Sequence, residues 1–258
     1  PGGGIMQRFF LTIFLLLYAL VRPGGYDSMT IYPAQGYLLF EDFQHYGNSP
    51  FPAWESTKPR DQAVKIYSII TEGEKKFMRA STLGLNKMIQ IGRPVKKMKL
   101  AGREKYWDIY KYPFIQWDWR VHTIPARADE RTGKLNDSAA SIYVVFPRKN
   151  LPVVDWENQP ANWIKYVWSS TAPEGTVVHK HVKKYGVTLY IGKTIVVATG
   201  KKNLNKWITF KRNVLADYRK NFGKEPKYHP TVIGILTDSN STKSSAIADY
   251  DNIMALTD

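Results

Sequence analysis

The sequence predicts an all-β fold, because apolar residues alternate along many short segments and aromatic residues are abundant. After residue 30, short β-type segments separated by turn residues follow one another too closely for intervening helices. The 258 residues include 8 Trp, 16 Tyr and 11 Phe, which suffice for a large core. A sandwich or barrel is therefore expected, as a single domain over residues 31–258.

The predicted elements are a series of strands and one short helix. The strands are residues 36–43, 63–70, 76–82, 87–92, 113–122, 138–146, 162–169, 176–183, 188–191, 194–199, 207–211, 231–237 and 246–256. The helix is predicted near residues 213–222, where Val214, Leu215, Tyr218 and Phe222 have helical spacing. Gly223 is well placed to end it.

The clearest alternation lies in the predicted strand 113–122. Its apolar face carries Ile115, Trp117, Trp119 and Val121, and its polar face carries Gln116, Asp118, Arg120 and His122. Burying two indoles and two aliphatic side chains contributes several kcal/mol at about 25 cal/mol per Å², so the apolar face is predicted to be core. The polar face is then a candidate binding surface. Arg120 could bind a sugar hydroxyl or a carboxylate, or it could form an ion pair on a solvated sheet.

Two loops add polar candidates to this surface. The loop after strand 113–122 carries Asp129, Asn136 and Asp137 as candidate ligand-binding residues, and the loop after strand 231–237 adds Asp238 and Asn240. The five residues 238–242 are rich in short oxygen-bearing side chains. Such a run forms either an Asx-type turn or a site for a hard cation, and the turn is favoured.

The N-terminal thirty residues differ from the rest. Arg8 precedes the apolar run 9–21, in which Thr12 is the only clearly polar side chain. This layout predicts a signal peptide, because the run is too short to span about 30 Å of hydrocarbon. An uncleaved N-terminal anchor and a buried helix are the alternatives. Export to the periplasm or cell envelope follows. The absence of cysteine excludes disulfides, thiol nucleophiles and lipid anchors on cysteine.

The net charge of +15 is spread over several clusters. The densest, residues 93–105, holds six cations and one acid. These clusters indicate either a surface that attracts polyanions or solvated strand edges, where lysine discourages edge pairing. Nucleic acid is not favoured as a partner, because no nucleic-acid-binding motif accompanies the charge.

Catalytic motifs are absent from the sequence. It contains no nucleophile elbow, dinucleotide-binding glycine pattern, P-loop or zinc-protease motif. His179 and His181 share a strand face, but the neighbouring lysines favour a solvated edge over a metal site. A glycosidase needs two carboxylates about 5 to 9 Å apart, and the sequence does not single out such a pair among 22 acids.

Several motifs together resemble a known family. They are residues 117–121 (WDWRV), 128–130 (ADE), 136–140 (NDSAA), 142–146 (IYVVF), 166–169 (YVWS), Trp207, 211–214 (KRNV), Asp217, 222–223 (FG), 232–240 (VIGILTDSN) and 244–253. In this order they resemble the bacterial exported family catalogued as domain of unknown function 3047, over roughly residues 36–256. The resemblance implies a jelly-roll sandwich similar to galactose-binding-like carbohydrate modules. A second acid is expected where Ser239 stands, and its absence argues against a two-carboxylate ion site there.

The same resemblance implies a structural calcium ion between the first and last strands. Its candidate ligands are Glu41, Asp42 and Asp251, and a surface cluster of acids is the alternative. No other cofactor is expected.

These observations favour an exported, non-catalytic binding protein for carbohydrate or another cell-envelope polymer. One alternative is an accessory or structural subunit, held at a membrane or in a larger protein assembly. The other is a glycan-cleaving enzyme on the same scaffold.

Overall fold

The computed structural model describes residues 36–51, 53–83, 85, 88–95, 106–149, 159–184 and 187–258. The signal peptide or anchor predicted at residues 1–30 lies outside these ranges. The strands are Tyr37–Glu41 (β1), Glu55–Ser56 (β2), Tyr67–Glu72 (β3), Lys75–Ser81 (β4), Ile91–Pro94 (β5), Phe114–Thr123 (β6), Ala140–Pro147 (β7), Ala161–Ser169 (β8), Val177–Lys184 (β9), Val187–Thr199 (β10), Ile208–Asn213 (β11), Val232–Ile235 (β12) and Ile247–Leu256 (β13). The helices are Arg60–Ala63 (α1) and Val214–Phe222 (α2).

The strands form two packed sheets. Sheet A has six strands in the order β11-β6-β13-β4-β3, with β1 also paired to β13. Sheet B has seven strands in the order β2-β5-β12-β7-β8-β10-β9. Neighbouring strands are antiparallel except β8 and β10, which run parallel. The predicted all-β jelly-roll sandwich is confirmed.

The core lies between the sheets, and strand β6 supplies its centre. Trp117 and Trp119 are fully buried, as the alternation predicts. Trp117 stacks on Tyr166 of sheet B, with ring centroids 5.4 Å apart, and on Phe210 of β11 at 5.8 Å. The indole N–H groups of Trp117 and Trp119 have no hydrogen-bond partner among the described residues. The packing of the two indoles must therefore offset the free-energy cost of burying two N–H groups without hydrogen bonds.

Helix α2 closes one end of the sandwich, where the sequence predicts it. Asn213 caps it by accepting a hydrogen bond from the Ala216 N–H at 2.8 Å. Gly223 ends it with a φ of 67°, a left-handed conformation that favours glycine. The helix faces the core through Tyr218, whose ring lies 4.7 Å from Phe146.

Several element boundaries differ from the prediction, most clearly those of β3 and β10. The predicted strand 63–70 begins only at Tyr67, because helix α1 and a turn occupy the preceding residues. The segments predicted separately at 188–191 and 194–199 form one strand, β10. Gly192 lies inside this strand and does not break it, because it leaves room for a neighbouring indole.

No helix among the described residues is long and apolar enough to cross a membrane.

Candidate functional site

The outward face of sheet B carries an aromatic patch beside a buried lysine. Tyr143 of β7 and Lys165 of β8 are directly opposed in the strand register. The Tyr143 ring meets the Trp163 ring edge-on at 5.4 Å, and the Lys165 ammonium lies 5.3 Å from the Tyr143 ring centroid. Tyr143 and Trp163 belong to an apolar cluster separate from the main core. This face therefore combines buried aromatic rings with a buried positive charge.

Gly192 creates the space for this patch. It lies beside Trp163 in the register of β8 and β10. A Cβ atom at residue 192 would come within 2.0 Å of the indole. The indole therefore lies directly over the backbone of β10, and glycine is required there by the close approach.

Three acids surround the lysine, and we call Glu130, Asp137, Lys165 and Asp238 the acid–lysine cluster. All four are at most 6% exposed. Lys165 Nζ donates to Ser138 Oγ at 3.2 Å, and Ser138 Oγ donates to Glu130 Oε1 at 3.2 Å. The other oxygen of Glu130 accepts from the Ser169 hydroxyl. A buried lysine among three buried carboxyl groups is a costly arrangement, characteristic of functional sites as well as structural networks.

Asp137 fastens two loops to each other. Its carboxylate accepts from the Thr242 N–H at 2.6 Å, the Thr242 hydroxyl at 2.7 Å and the Ser241 N–H at 3.1 Å. These three hydrogen bonds hold the Asp137 carboxylate against the loop after β12. The loop after β12 is an Asx-type turn, since Asp238 Oδ1 accepts from the Asn240 N–H at 3.2 Å.

Asp238 and Lys165 both have altered acidity. Burial, together with the neighbouring negative charge of Asp137, raises the pKa of Asp238 to about 6, although Lys165 opposes this shift. Burial also lowers the pKa of Lys165, against the attraction of the three acids. Asp238 therefore exchanges its proton close to neutral pH, which is the property that a general acid needs.

The polar face of β6 forms a second cluster, on the outward face of sheet A. The Asp249 carboxylate accepts hydrogen bonds from Arg79 at 2.6 Å and from Arg120 at 2.9 Å. Its third partner is Nε2 of His122, at 2.7 Å. Arg120 also donates to Glu72 at 2.8 Å. The ion-pair alternative left open for Arg120 is therefore the observed arrangement.

The other polar side chains on this face of sheet A also have protein partners. Asp118 accepts from the Thr209 hydroxyl at 2.6 Å and from the Asn252 amide at 2.7 Å. The Gln116 amide lies 3.8 Å from Met254 Sδ. Trp207 covers the Arg120 guanidinium, with its ring centroid 4.8 Å away. The polar groups of this face are thus engaged with one another.

The predicted ligand-binding residues separate into two groups on different sheets. Asn136, Asp137, Asp238 and Asn240 come together at the acid–lysine cluster, and Gln116, Asp118, Arg120 and His122 lie on sheet A. Asp129 joins neither group, because its carboxylate pairs with Arg131 at 2.6 Å.

The predicted calcium ligands have protein partners of their own. Glu41 accepts from Arg93 at 2.6 Å and from the Trp54 indole at 3.0 Å, inside the sandwich. Asp251 pairs with Lys75 at 3.0 Å, and Asp42 accepts from the Gln44 N–H in a local turn. In the described part of the chain, no three acid or histidine side chains are grouped to hold a metal ion. The calcium ion stays a prediction, and these contacts do not support it.

Sequence reasoning missed Lys165, the centre of the acid–lysine cluster. The available signal was its position in β8, where it faces away from Ile164, Tyr166 and Trp168 yet stands between Trp163 and Val167. An isolated lysine in such an apolar strand indicates a buried charge. Its acidic partners come from distant loops, so the sequence alone did not identify them.

Xyloglucanases, cellulases and xylanases are among the solved structures similar to this chain. A family 12 xyloglucanase from Bacillus licheniformis has a TM-score of 0.42 and 8% identity, covering 88% of this chain and 95% of that one. A thermostable cellulase derived from the Rhodothermus marinus enzyme has a TM-score of 0.39 and 9% identity, covering 88% and 94%. Endoglucanase 3 of Trichoderma harzianum, from family GH12, has a TM-score of 0.37 and 11% identity, covering 85% and 89%.

These comparisons correct the main functional prediction. The sequence favoured a non-catalytic binding protein, whereas the similar structures are named as hydrolases, in accord with the enzyme alternative. TM-scores below 0.5 describe a general likeness of architecture only. Any assignment of catalytic residues must therefore come from the site itself.

The sequence comparison identifies the family. No curated protein matches this sequence. A family model described as "Protein of unknown function (DUF3047)" matches residues 53–254, in agreement with the motif order noted above. The chain belongs to this family.

Proposed function

We propose that this protein is a glycan-cleaving enzyme and that the acid–lysine cluster is its catalytic centre. One observation carries the proposal: the cluster holds a carboxyl group with a pKa of about 6, Asp238, among further buried acids that hydrogen bonds hold in fixed positions. Cleavage of a glycosidic bond requires a proton donor and a second carboxyl group.

Asp238 is the proton donor in this mechanism. Its proton goes to the glycosidic oxygen as the bond to the sugar breaks, which gives the departing sugar a free hydroxyl. Asp137 keeps the pKa of Asp238 high through its own negative charge, and Lys165 limits the increase. Together these neighbours set the proton affinity of Asp238 near neutrality.

Glu130 is the second catalytic carboxylate. Asp137 is in hydrogen-bond contact with Asp238, which is closer than the two catalytic carboxyl groups of a glycosidase stand. The Asp137 oxygens also accept hydrogen bonds from backbone N–H groups of the loop after β12. Glu130 is held instead by the hydroxyls of Ser138 and Ser169, and it is linked to Lys165 through Ser138. Glu130 either attacks the anomeric carbon to form an ester that water then hydrolyses, or takes a proton from the water that attacks this carbon. In both cases water supplies the hydroxyl group of the new reducing end.

Tyr143 and Trp163 lie on the same face of sheet B as Lys165, where they are only 8% and 9% exposed. They support the cluster by packing beside it and offer little surface to a sugar. Polysaccharide is the proposed partner, because cleavage of a glycosidic bond is the proposed reaction. Export to the periplasm or cell envelope remains our prediction for its location.

The decisive experiment measures reducing ends released from a panel of plant and bacterial polysaccharides. We expect Asp238→Asn and Glu130→Gln each to lower kcat/KM by at least 100-fold on the substrate that the unchanged protein cleaves. Asp129→Asn is the matched control, since Asp129 adjoins Glu130 in sequence but pairs with Arg131, and its activity should stay within twofold.

Two results would contradict the proposal. One is that the unchanged protein releases no product from any polysaccharide of the panel. The other is full activity in the Asp238→Asn and Glu130→Gln variants, with circular dichroism showing that both are folded.

A further inference from the structure

Two exposed tyrosines lie beside a histidine near the start of β12, and we call Tyr106, Tyr110 and His229 the tyrosine–histidine patch. Tyr106 and Tyr110 are 42% and 51% exposed, more than any other Phe, Trp or Tyr in the described part of the chain. Their ring centroids lie 4.8 Å and 5.8 Å from that of His229, so the three rings form one continuous group. Apolar rings that are grouped at a surface indicate a binding site, whereas scattered ones do not.

Hydrogen bonds hold the patch in place. The Ile109 N–H donates to His229 Nδ1 at 3.2 Å, and the Tyr110 hydroxyl donates to the Pro226 carbonyl at 3.3 Å. These contacts join the loop before β6 to the loop before β12. The indole of Trp107 is fully buried and donates to a carbonyl of its own loop at 2.7 Å. A surface that is ordered in advance loses little conformational freedom when a ligand binds.

The patch also offers one donor and one acceptor to a ligand. His229 Nδ1 accepts from a backbone N–H, so the proton of the neutral ring lies on Nε2. No described residue accepts a hydrogen bond from this Nε2–H. Asp108 accepts from the N–H groups of Tyr110 and Lys111 through Oδ1 alone, at 3.0 and 3.3 Å. The hydroxyl groups of a sugar both donate and accept, so they match this pair of groups.

The charges around the patch do not select an acidic ligand. The ammonium groups of Lys111 and Lys227 each lie over a tyrosine ring of their own loop, 5.1 and 5.4 Å from its centroid. Arg219 pairs with Glu225 at 2.7 Å. These cations already have partners, and Asp108 adds a negative charge. The surroundings therefore favour an uncharged ligand.

We propose that the tyrosine–histidine patch binds a neutral β-linked glucan chain outside the catalytic centre. Every substituent of a β-glucose ring is equatorial, so each sugar presents C–H groups to an aromatic ring from either face. Asp238 follows the end of β12, so at most about 30 Å of extended chain separates His229 from it. A long glucan can therefore contact both places. The choice of a polysaccharide rests on the proposed function, whereas binding at the patch does not require cleavage.

Isothermal titration calorimetry with cellohexaose, a β-linked glucan, and with α-linked maltohexaose tests this proposal. The full chain carries Glu130→Gln in every sample, so that no ligand is cleaved. We expect at least fivefold tighter binding of cellohexaose than of maltohexaose. The double variant Tyr106→Ala, Tyr110→Ala should lose at least tenfold in affinity for cellohexaose, and the corresponding double variant to phenylalanine should stay within threefold. The control Leu83→Ala, Met88→Ala removes exposed apolar side chains at the other end of the β5–β12 pair and should stay within twofold.

Tyr106→Ala alone keeps the inference testable if the double variant does not fold, because the Tyr106 hydroxyl makes no hydrogen bond to a described residue. We expect it to lose at least threefold in affinity. Three outcomes would overturn the inference: no binding of cellohexaose, equal affinity for the two hexasaccharides, or unchanged affinity in the folded alanine variants. None of them bears on polysaccharide cleavage, which is measured separately on the unchanged protein.

Discussion

At the scale of single residues, the raised pKa of Asp238 makes the free energy of unfolding depend on pH. A carboxyl group whose pKa is raised from 3.8 to about 6 binds its proton more tightly in the folded than in the unfolded state. Its favourable contribution is complete below pH 3.8 and is lost as the pH rises through 6. At neutral pH the buried Asp238 carboxylate therefore lowers the free energy of unfolding.

We expect Asp238→Asn to stabilise the protein at pH 7.5 by as much as about 3 kcal/mol, the equivalent of about two pKa units. Asparagine keeps the side-chain oxygen that accepts from the Asn240 N–H. Urea unfolding at pH 7.5 and pH 3.5 measures the effect, which should disappear at the lower pH. A variant less stable than the unchanged protein at pH 7.5 would show that the Asp238 carboxylate does not destabilise the folded state.

Gly192 gives a second prediction at this scale. Substitution by alanine places a Cβ atom within 2.0 Å of the Trp163 ring, so the indole must leave its position over β10. We expect a loss of unfolding free energy of about 1 to 3 kcal/mol, typical of overpacking, and a changed tryptophan fluorescence spectrum. Gly133→Ala is the control, since nothing lies within 4 Å of a Cβ there.

At the scale of elements, a buried ion pair joins the two sheets. Glu41, at the end of β1, accepts from Arg93 of β5 at 2.6 Å, and both side chains are at most 7% exposed. The Tyr46 hydroxyl and the Trp54 indole donate to the same carboxylate at 2.7 and 3.0 Å. Removing one partner of such a pair strands the other charge in the interior.

We expect Glu41→Leu to lower the unfolding free energy by about 3 to 5 kcal/mol, the usual cost of one unpaired buried charge. The double variant Glu41→Leu, Arg93→Met should recover much of that loss, because neither charge then remains. Chemical denaturation of the three proteins measures the coupling. Equal losses in the single and double variants would mean that the pair itself contributes nothing special.

Local patterns predicted most elements well, and the exceptions have physical causes. Strand β6 and helix α2 were identified because alternation and helical spacing are properties of consecutive residues. Helix α1 is only four residues long, so it gives almost no periodic signal. The acid–lysine cluster joins side chains from two loops and a strand, and such proximity depends on the sheet order, which residue spacing does not encode.

At the scale of the whole molecule, buried carboxyl groups lower the stability at both ends of the pH range: some do so as the pH rises, and others as it falls. Burial raises the pKa of Asp251 to about 6 despite its bond to Lys75, and so it acts in the same direction as Asp238. Asp249 behaves in the opposite way, since hydrogen bonds from Arg79, His122 and Arg120 outweigh burial and lower its pKa. Its contribution is present above pH 3.8 and is lost as the pH falls further.

We therefore expect maximal stability between about pH 4 and pH 6. Thermal unfolding at pH 3, 5 and 8 should give the highest midpoint at pH 5. In the double variant Asp238→Asn, Asp251→Asn, the decline between pH 5 and pH 8 should be reduced. A midpoint that rises steadily from pH 5 to pH 8 in the unchanged protein would contradict this account.

Strand β9 ends sheet B in the described part of the chain, and this position has a consequence for self-association. An unpaired strand edge can recruit the same edge of another molecule. The exposed side chains of His179, Lys180, His181 and Lys183 lie along this strand, so two such edges would bring lysines together. Their repulsion opposes growth of the sheet from one molecule into the next, and it would weaken at high salt.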